Sequence, residues 1–325
     1  MQVAIIGGGL TGIFAARVLQ ELGHEPLIIE KSRSVGGRLA TRRINGGRAD
    51  HGAQFFTVRS TTLQSLVEDW EKQGIVRRWF GDDHPRYMAP NGMNGLAKDL
   101  SQDLQVILDE RVVHAEYDAK GGVTIGTDNG ELYMCDAMIM TAPVPQALEL
   151  LENSVDVLDD EVADVLRTSA FHSCFVGLFE LEEPFTVGDS GILDSDLPEG
   201  IDKVIANDQK GISDTPLLSV YMTGEWSDKR FDWEDTNVMQ MIEEQVAKLE
   251  LPEVVSAQLK RWRYAEAISK LDEPYMELIK GAPLYIAGDS FLRSDDSSGR
   301  TRVESAILSG IEVGEAVNRY FLPEE

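Results

Sequence analysis

The chain reads as an α/β protein in which a Rossmann-like dinucleotide-binding domain is joined to a second, mixed-sheet domain. Three observations predict this. A short apolar strand at residues 2–6 runs straight into glycines and then a helix at 11–22, and a second strand at 25–30 completes a βαβ unit. Gly7, Gly9 and Gly12 satisfy the GxGxxG spacing, and an acid, Glu30, ends the second strand about twenty residues on. The middle of the chain carries further strand and helix patterns with no such motif, as a separate substrate-facing unit would.

Each part of the first unit has a physical reason. The first glycine permits the tight strand-to-helix turn, the second lets the backbone approach a pyrophosphate, and the third lets helix and strand pack closely. Thr11 opens the helix, whose N-terminus favours phosphate charge. The carboxylate of Glu30 is placed to accept ribose hydroxyls.

Further along, residues 59–74 read as a helix with Leu63, Leu66, Val67 and Trp70 on one face. Residues 104–117 and 123–127 read as strands of a small meander turning at Gly121-Gly122, and 137–141 as a buried strand ending at Ala142-Pro143. An acidic stretch at 148–168 reads as two helices. Strands at 171–181 and 217–222 flank a loop rich in Gly, Asp and Pro. An amphipathic helix at 237–249 precedes a strand at 255–264. A last strand at 284–287 leads to a helix at 301–321. Thr301 and Glu304 there fit a capping box, and Val303, Ala306, Ile307, Gly310, Gly314 and Val317 form one small, apolar face.

Composition narrows the function. With 56 acids against 30 bases, the formal charge of -26 argues against nucleic-acid and anionic-membrane partners. No run reaches the roughly 18 apolar residues of a membrane span, and no basic leader precedes the first strand. Cys135 and Cys174 read as free thiols of a reducing compartment, so the expected location is cytoplasmic. The histidines show no metal-ligand spacing, so no metal is expected, and His172 reads as a satisfied core residue.

Further blocks carry a family resemblance. Arg33-Ser34-Val35-Gly36-Gly37-Arg38, Asp50-His51-Gly52-Ala53-Gln54-Phe55-Phe56-Thr57, Pro90-Asn91-Gly92-Met93-Asn94, Arg111-Val112 and Gly288-Asp289 together resemble the flavin amine oxidase superfamily. The resemblance implies non-covalent FAD in a domain of the glutathione-reductase/amine-oxidase type. That domain is expected to be discontinuous (residues 1–57, 92–146 and 280–325), with 58–91 and 147–279 forming the substrate domain. The cofactor contacts implied are Gly7, Gly9, Thr11, Gly12, Glu30, Lys31, Gly37, Arg38, Ala53, Gln54, Phe55, Val112, Gly288, Asp289, Arg302, Val303 and Ala306. Arg38 offers a planar fork for phosphate oxygens. The last helix is implied to aim its N-terminus at the flavin edge that gains negative charge on reduction.

Within the superfamily, Phe171-His172-Ser173-Cys174-Phe175, Glu225-Trp226-Ser227 and Arg261-Trp262-Arg263-Tyr264-Ala265 look most like the renalase-like proteins. Glu266-Ala267 departs from that pattern, where related sequences often place a proline. Phe56, Trp226, Trp262 and Tyr264 are candidates to wall a flat substrate ring, or else core aromatics. Lys270 stands where an amine-oxidase-type lysine could sit, or on a solvated loop. The implied activity is oxidation of an isomeric dihydro-NAD(P), by hydride transfer to flavin N5, with molecular oxygen as acceptor and the protein a monomer or weak dimer. A flavin-dependent amine oxidase and a non-catalytic redox sensor are the alternatives.

Overall fold

The strand Gln2–Ile6 is apolar from Val3 onward because both faces of its sheet are covered. In the computed structural model, which describes residues 1–120, 122–296 and 298–323, it lies inside a six-stranded sheet. The order is Met276–Glu277, Leu284–Ile286, Ala137–Met140, Gln2–Ile6, Glu25–Ile29 and Gln105–Ile107, parallel except at the Met276–Glu277 edge. Val3 and Ile5 point to a core shared with the helices Leu10–Glu21 and Val303–Phe321. Ala4 and Ile6 point the other way, into a core shared with the helices Val144–Glu152 and Asp160–Leu166 and an antiparallel three-stranded sheet.

The second unit is a five-stranded antiparallel sheet in the order Ile192–Leu193, Ile201–Ala206, Leu217–Met222, Phe171–Leu181 and Val254–Ala267. One face packs on the helix Asp235–Val246 through Phe175, Phe179, Val238 and Ile242. Its other face meets the hairpin Thr41–Ile44/Gly47–Asp50 through Val176, Leu178, Ile44 and Ala49.

Several elements differ from the reading of the sequence. The strand read at 104–117 is two strands in different sheets, Gln105–Ile107 and Val112–Asp118, broken where Asp109 takes a left-handed φ of 58°. The meander gains a third strand, Leu132–Cys135. Gly121 lies outside the described residues, and Gly122 opens the strand Gly122–Thr127. The loop read between 181 and 217 contains the strands Ile192–Leu193 and Ile201–Ala206, hidden by the turn residues around them. The helix Thr61–Lys72, capped by the Ser60 hydroxyl, turns Leu63, Val67 and Trp70 onto Phe14 and Phe56, so it packs with the dinucleotide-side core.

Two helices meet at the glycines. A Cβ at Gly12 would collide with the Gly7 carbonyl, and one at Gly310 would collide with the Thr11 carbonyl. Bare glycine at 12 lets the first helix pack on its own strand-to-helix turn, and at 310 it lets the first and last helices touch backbone to backbone. Thr11 then donates its hydroxyl hydrogen to the Ala306 carbonyl at 2.9 Å. Gly310→Ala is expected to cost about 1–3 kcal/mol, the usual penalty of overpacking. Urea unfolding measures this, and a midpoint unchanged from wild type would show that the helices can separate freely.

Candidate active site

Between the two units lies a cavity of about 1710 Å³, well above the roughly 300–1,000 Å³ of a single small-ligand site. Its lower wall is the glycine turn, the 33–42 segment and the first turn of the last helix. Its upper wall is the face of the five-stranded sheet around residues 172–174, 221–224 and 262–266. There is room for a dinucleotide and a second ring together.

The residues of the lower wall fit a dinucleotide. At Gly9, the N-cap of the first helix, the space where a Cβ would point is open for 4 Å. Glu30 is buried, and its two carboxylate oxygens accept from Gly8 N at 2.7 Å and Ser32 N at 2.8 Å. Each oxygen keeps a lone pair for a ribose hydroxyl. Lys31, Gly37, Arg111 and Val112 line the same stretch. Asn94 ties the second glycine segment down, donating to Val35 O at 2.6 Å and Leu39 O at 3.1 Å.

Arg38 and Asp289, two expected cofactor contacts from opposite ends of the chain, face each other in a fork-to-fork pair at 2.6 and 2.9 Å. Gly288 N donates to Ser309 Oγ, and Ser305 Oγ donates to Asp289 O, so the last helix holds this corner. The cap of that helix is a correction. Arg302, not Thr301, is the N-cap, and Ser305 Oγ accepts from Arg302 N at 2.9 Å. Glu304 instead crosses to another helix start, accepting from Arg59 N, Ser60 N and Ser60 Oγ. Burial opposes its charge, but those donors and Arg302 outweigh it and hold the carboxyl below its ordinary range. Val303 and Ala306 border the cavity, as expected of the first turn.

The loop after Asp50 is fixed by a lysine that the sequence gives no reason to single out. Lys210 is fully buried, and its Nζ donates to Asp50 Oδ2 at 2.7 Å, Gln54 O at 2.8 Å and Gln54 Oε1 at 2.9 Å. Asp50 Oδ1 accepts from Thr41 Oγ1 and from Met93 N at 2.9 Å. The Asp50 carbonyl accepts from Ser219 Oγ, Gln54 Nε2 and Tyr221 OH. Ala53, Gln54 and Phe55 are thereby presented along the cavity, with Phe55 edge-on to Trp79 and Phe80.

Of the four aromatics, Trp262 and Tyr264 line the cavity. Trp262 donates its Nε1 hydrogen to His51 O at 2.6 Å and stacks on the His51 ring. Trp226 does not line it: the ring is buried against Phe175 under Arg230, because the short helix Gly224–Asp228 turns it into the core. Phe56 borders the cavity as a residue, but its ring is 3% exposed and packs on Tyr87 and Trp70. Lys270 pairs with Asp272 at the surface, away from the cavity. His172, read as a core residue, instead lines the cavity beside Thr223 and Tyr264. Cys174 also borders it, with burial pushing its thiol up to about 12.

The wall is unlike the rest of the surface. Among the described residues it carries ten Lys and Arg against six Asp and Glu, in a chain with 56 acids and 30 bases. Lys203 and Arg263 bring this charge to the upper half.

Known proteins decide the family. Residues 5–70 match the model of an NAD(P)-binding Rossmann-like domain. Residues 72–318 match that of flavin containing amine oxidoreductase. The chain belongs to the flavin containing amine oxidoreductase family. It is a FAD-dependent oxidoreductase. As a member of that family, it is 24% identical to renalase of Mus musculus over 98% of its own length and 99% of the mouse protein. It is 29% identical to putrescine oxidase of Kocuria rosea over 28% of this chain and 18% of that one. Its fold is that of putrescine oxidase bound to putrescine, with a TM-score of 0.70 at 14% identity, covering 98% and 99% of the two chains. Among the described residues no helix is long and apolar enough to cross a membrane.

Two predictions come from the Asp50 loop. Replacing Lys210 with Met strands the Asp50 charge and is expected to cost about 3–5 kcal/mol, while the Lys210→Met/Asp50→Asn double variant loses less than the sum of the singles. Urea unfolding of the four proteins measures the coupling, and additive losses would mean that the pair is not coupled. His51 gives the second. Its ring is pushed down to about 4 by burial and by Lys260 and Arg42, against the pull of Asp50. Between 6.5, the ordinary value, and about 4, the unfolded chain binds a proton that the folded one refuses, so stability falls as pH falls through that window. Wild type should lose roughly 2–3 kcal/mol more than His51→Gln between pH 7 and 4.5. Parallel pH curves would remove His51 as the cause.

Proposed function

We propose that the protein oxidises a dihydronicotinamide-type ring, such as an isomeric dihydro-NAD(P), and passes the electrons to molecular oxygen. The observation that carries this reading is the cation-rich wall around flat aromatic faces. It favours a planar, anionic ligand and disfavours a diamine. The similarity to mouse renalase along the whole chain supports the same reading.

Bound FAD supplies the ring that accepts a hydride. In this reading Gly7, Gly9, Thr11 and Gly12 cradle the diphosphate, and Glu30 takes the adenosine ribose. Lys31 and Val112 border the adenosine end. Gly37, Arg38, Gly288, Asp289 and Arg302 flank the remaining phosphate and ribityl chain, and Ala53, Gln54 and Phe55 the flavin ring. Val303 and Ala306 present the positive end of the last helix, which favours negative charge nearby. Trp262 and Tyr264 hold the substrate ring flat, and a substrate that is already a hydride donor needs orientation more than activation. In this reading the flavin is held without a covalent bond, and burial pushes the Cys174 thiol up, which disfavours its nucleophilic thiolate. The free thiols of Cys135 and Cys174 fit a reducing, cytoplasmic location.

Mixing the FAD-loaded protein with isomeric dihydro-NAD(P) under nitrogen should bleach the flavin band within seconds, and air should restore it with hydrogen peroxide released. A flavin that stays oxidised with these isomers but bleaches with putrescine would replace this reading by an amine oxidase.

A further inference from the structure

The cofactor reading makes no use of His172. It stands second in the strand Phe171–Leu181, at a register shift: His172 pairs with Glu266, but Cys174 pairs with Trp262. Such an irregularity re-aims a side chain. Gly224 makes room for the ring, since a Cβ there would lie 2.6 Å from His172 Cγ. The imidazole is therefore seated by the backbone on one side and opens to the cavity on the other.

Its orientation is set by Asp228. His172 Nδ1 lies 2.6 Å from Asp228 Oδ2. The other carboxylate oxygen accepts from Ser173 N and Ser173 Oγ, both at 2.7 Å. Burial opposes the Asp228 charge, but the hydrogen bonds from Ser173 and His172 outweigh it and hold the carboxyl below its ordinary range. An ionised carboxylate only accepts, so the shared proton sits on Nδ1. With the proton on Nδ1, the neutral tautomer is the one that turns the lone pair of Nε2 outward. Among the described hydrogen bonds, no protein group meets Nε2.

Resting on the dihydronicotinamide reading above, we propose that His172 Nε2 accepts the carboxamide N–H of the substrate ring, and that Asp228 is the positioning residue that keeps Nε2 an acceptor. The pair thereby selects a ring amide over a ring acid. A carboxylate has no hydrogen to offer and would set two lone pairs against each other. Arg263 and Tyr264 border the same part of the wall and leave the site open to a polar substituent. The contact is non-covalent and moves no proton.

Asp228→Asn tests this without changing shape. Its Oδ1 can still accept from Ser173, while its Nδ2 now donates to Nδ1, which moves the ring proton to Nε2 and makes the cavity-facing atom a donor. The readout is binding: oxidised, FAD-loaded protein is titrated with nicotinamide mononucleotide and with nicotinic acid mononucleotide at mildly alkaline pH, following the shift of the flavin band. Wild type should prefer the amide. D228N should move the amide-to-acid affinity ratio toward the acid by roughly tenfold, the usual scale of one exchanged hydrogen bond. His172→Gln, which can donate or accept at the Nε2 position, should give an intermediate ratio. Ratios equal to wild type in both FAD-loaded variants would overturn the proposal and leave the dihydronicotinamide reading standing. If neither mononucleotide perturbs the wild-type flavin, that reading falls and the proposal falls with it.

Discussion

The buried ion pair between Lys210 and Asp50 is the constraint on which the site depends. Taking both charges out of water costs several kcal/mol per ion, so the pair is tolerable only when every remaining donor and acceptor is satisfied. The structure meets that demand by drawing in groups from three directions: Thr41 and Met93 on the cofactor side, Gln54 on the loop between, and Ser219 and Tyr221 on the second sheet. Asn207 adds its side-chain oxygen to Asp50 N, and the face of Trp79 lies 4.9 Å from the ammonium. Burial pushes the lysine down, and the Asp50 carboxylate pulls it back up. One salt bridge and its partners therefore tie the second sheet to the loop that runs between the two sheets.

Charge is distributed with the same economy. The outside carries the acid excess that keeps the chain dispersed, while cations are gathered where the two sheets face each other. Cations close together in a low-dielectric cleft repel one another, and the protein relieves this in two ways. Arg38 and Arg302 are paired with Asp289 and Asp296. His51, between Lys260 and Arg42, is kept neutral. The result is a cleft whose field draws anions into a space walled by aromatic faces.

The last helix links the fold to the site. Its glycines let it lie against the first helix, its Ser305 and Ser309 hydroxyls fix the Gly288-Asp289 corner, and its Glu304 organises the start of the helix Thr61–Lys72. Packing, capping and the shape of the cavity are here one set of contacts, and a change at any of them is felt at the others.

Local signals carried much of this in the sequence. GxGxxG, Glu30, the second glycine segment and Gly288-Asp289 are short motifs recognised from residues adjacent in the chain, so the segments that line the lower wall could be picked out before any fold was known. Periodicity likewise located Phe171–Leu181, Leu217–Met222 and the long helices. Tertiary structure alone decided the rest. Trp226 and Trp262 look alike in sequence, yet one turns into the core and the other onto the cavity, because that depends on which face of a strand or helix meets which neighbour. Lys210 and Asp50 are 160 residues apart, and Arg38 and Asp289 are 251 apart. His172 finds Asp228 only because a strand irregularity and a glycine bring them together. Motifs are written by adjacency along the chain, whereas long-range electrostatic pairs are written by the packing of two sheets, and only the folded chain contains that information.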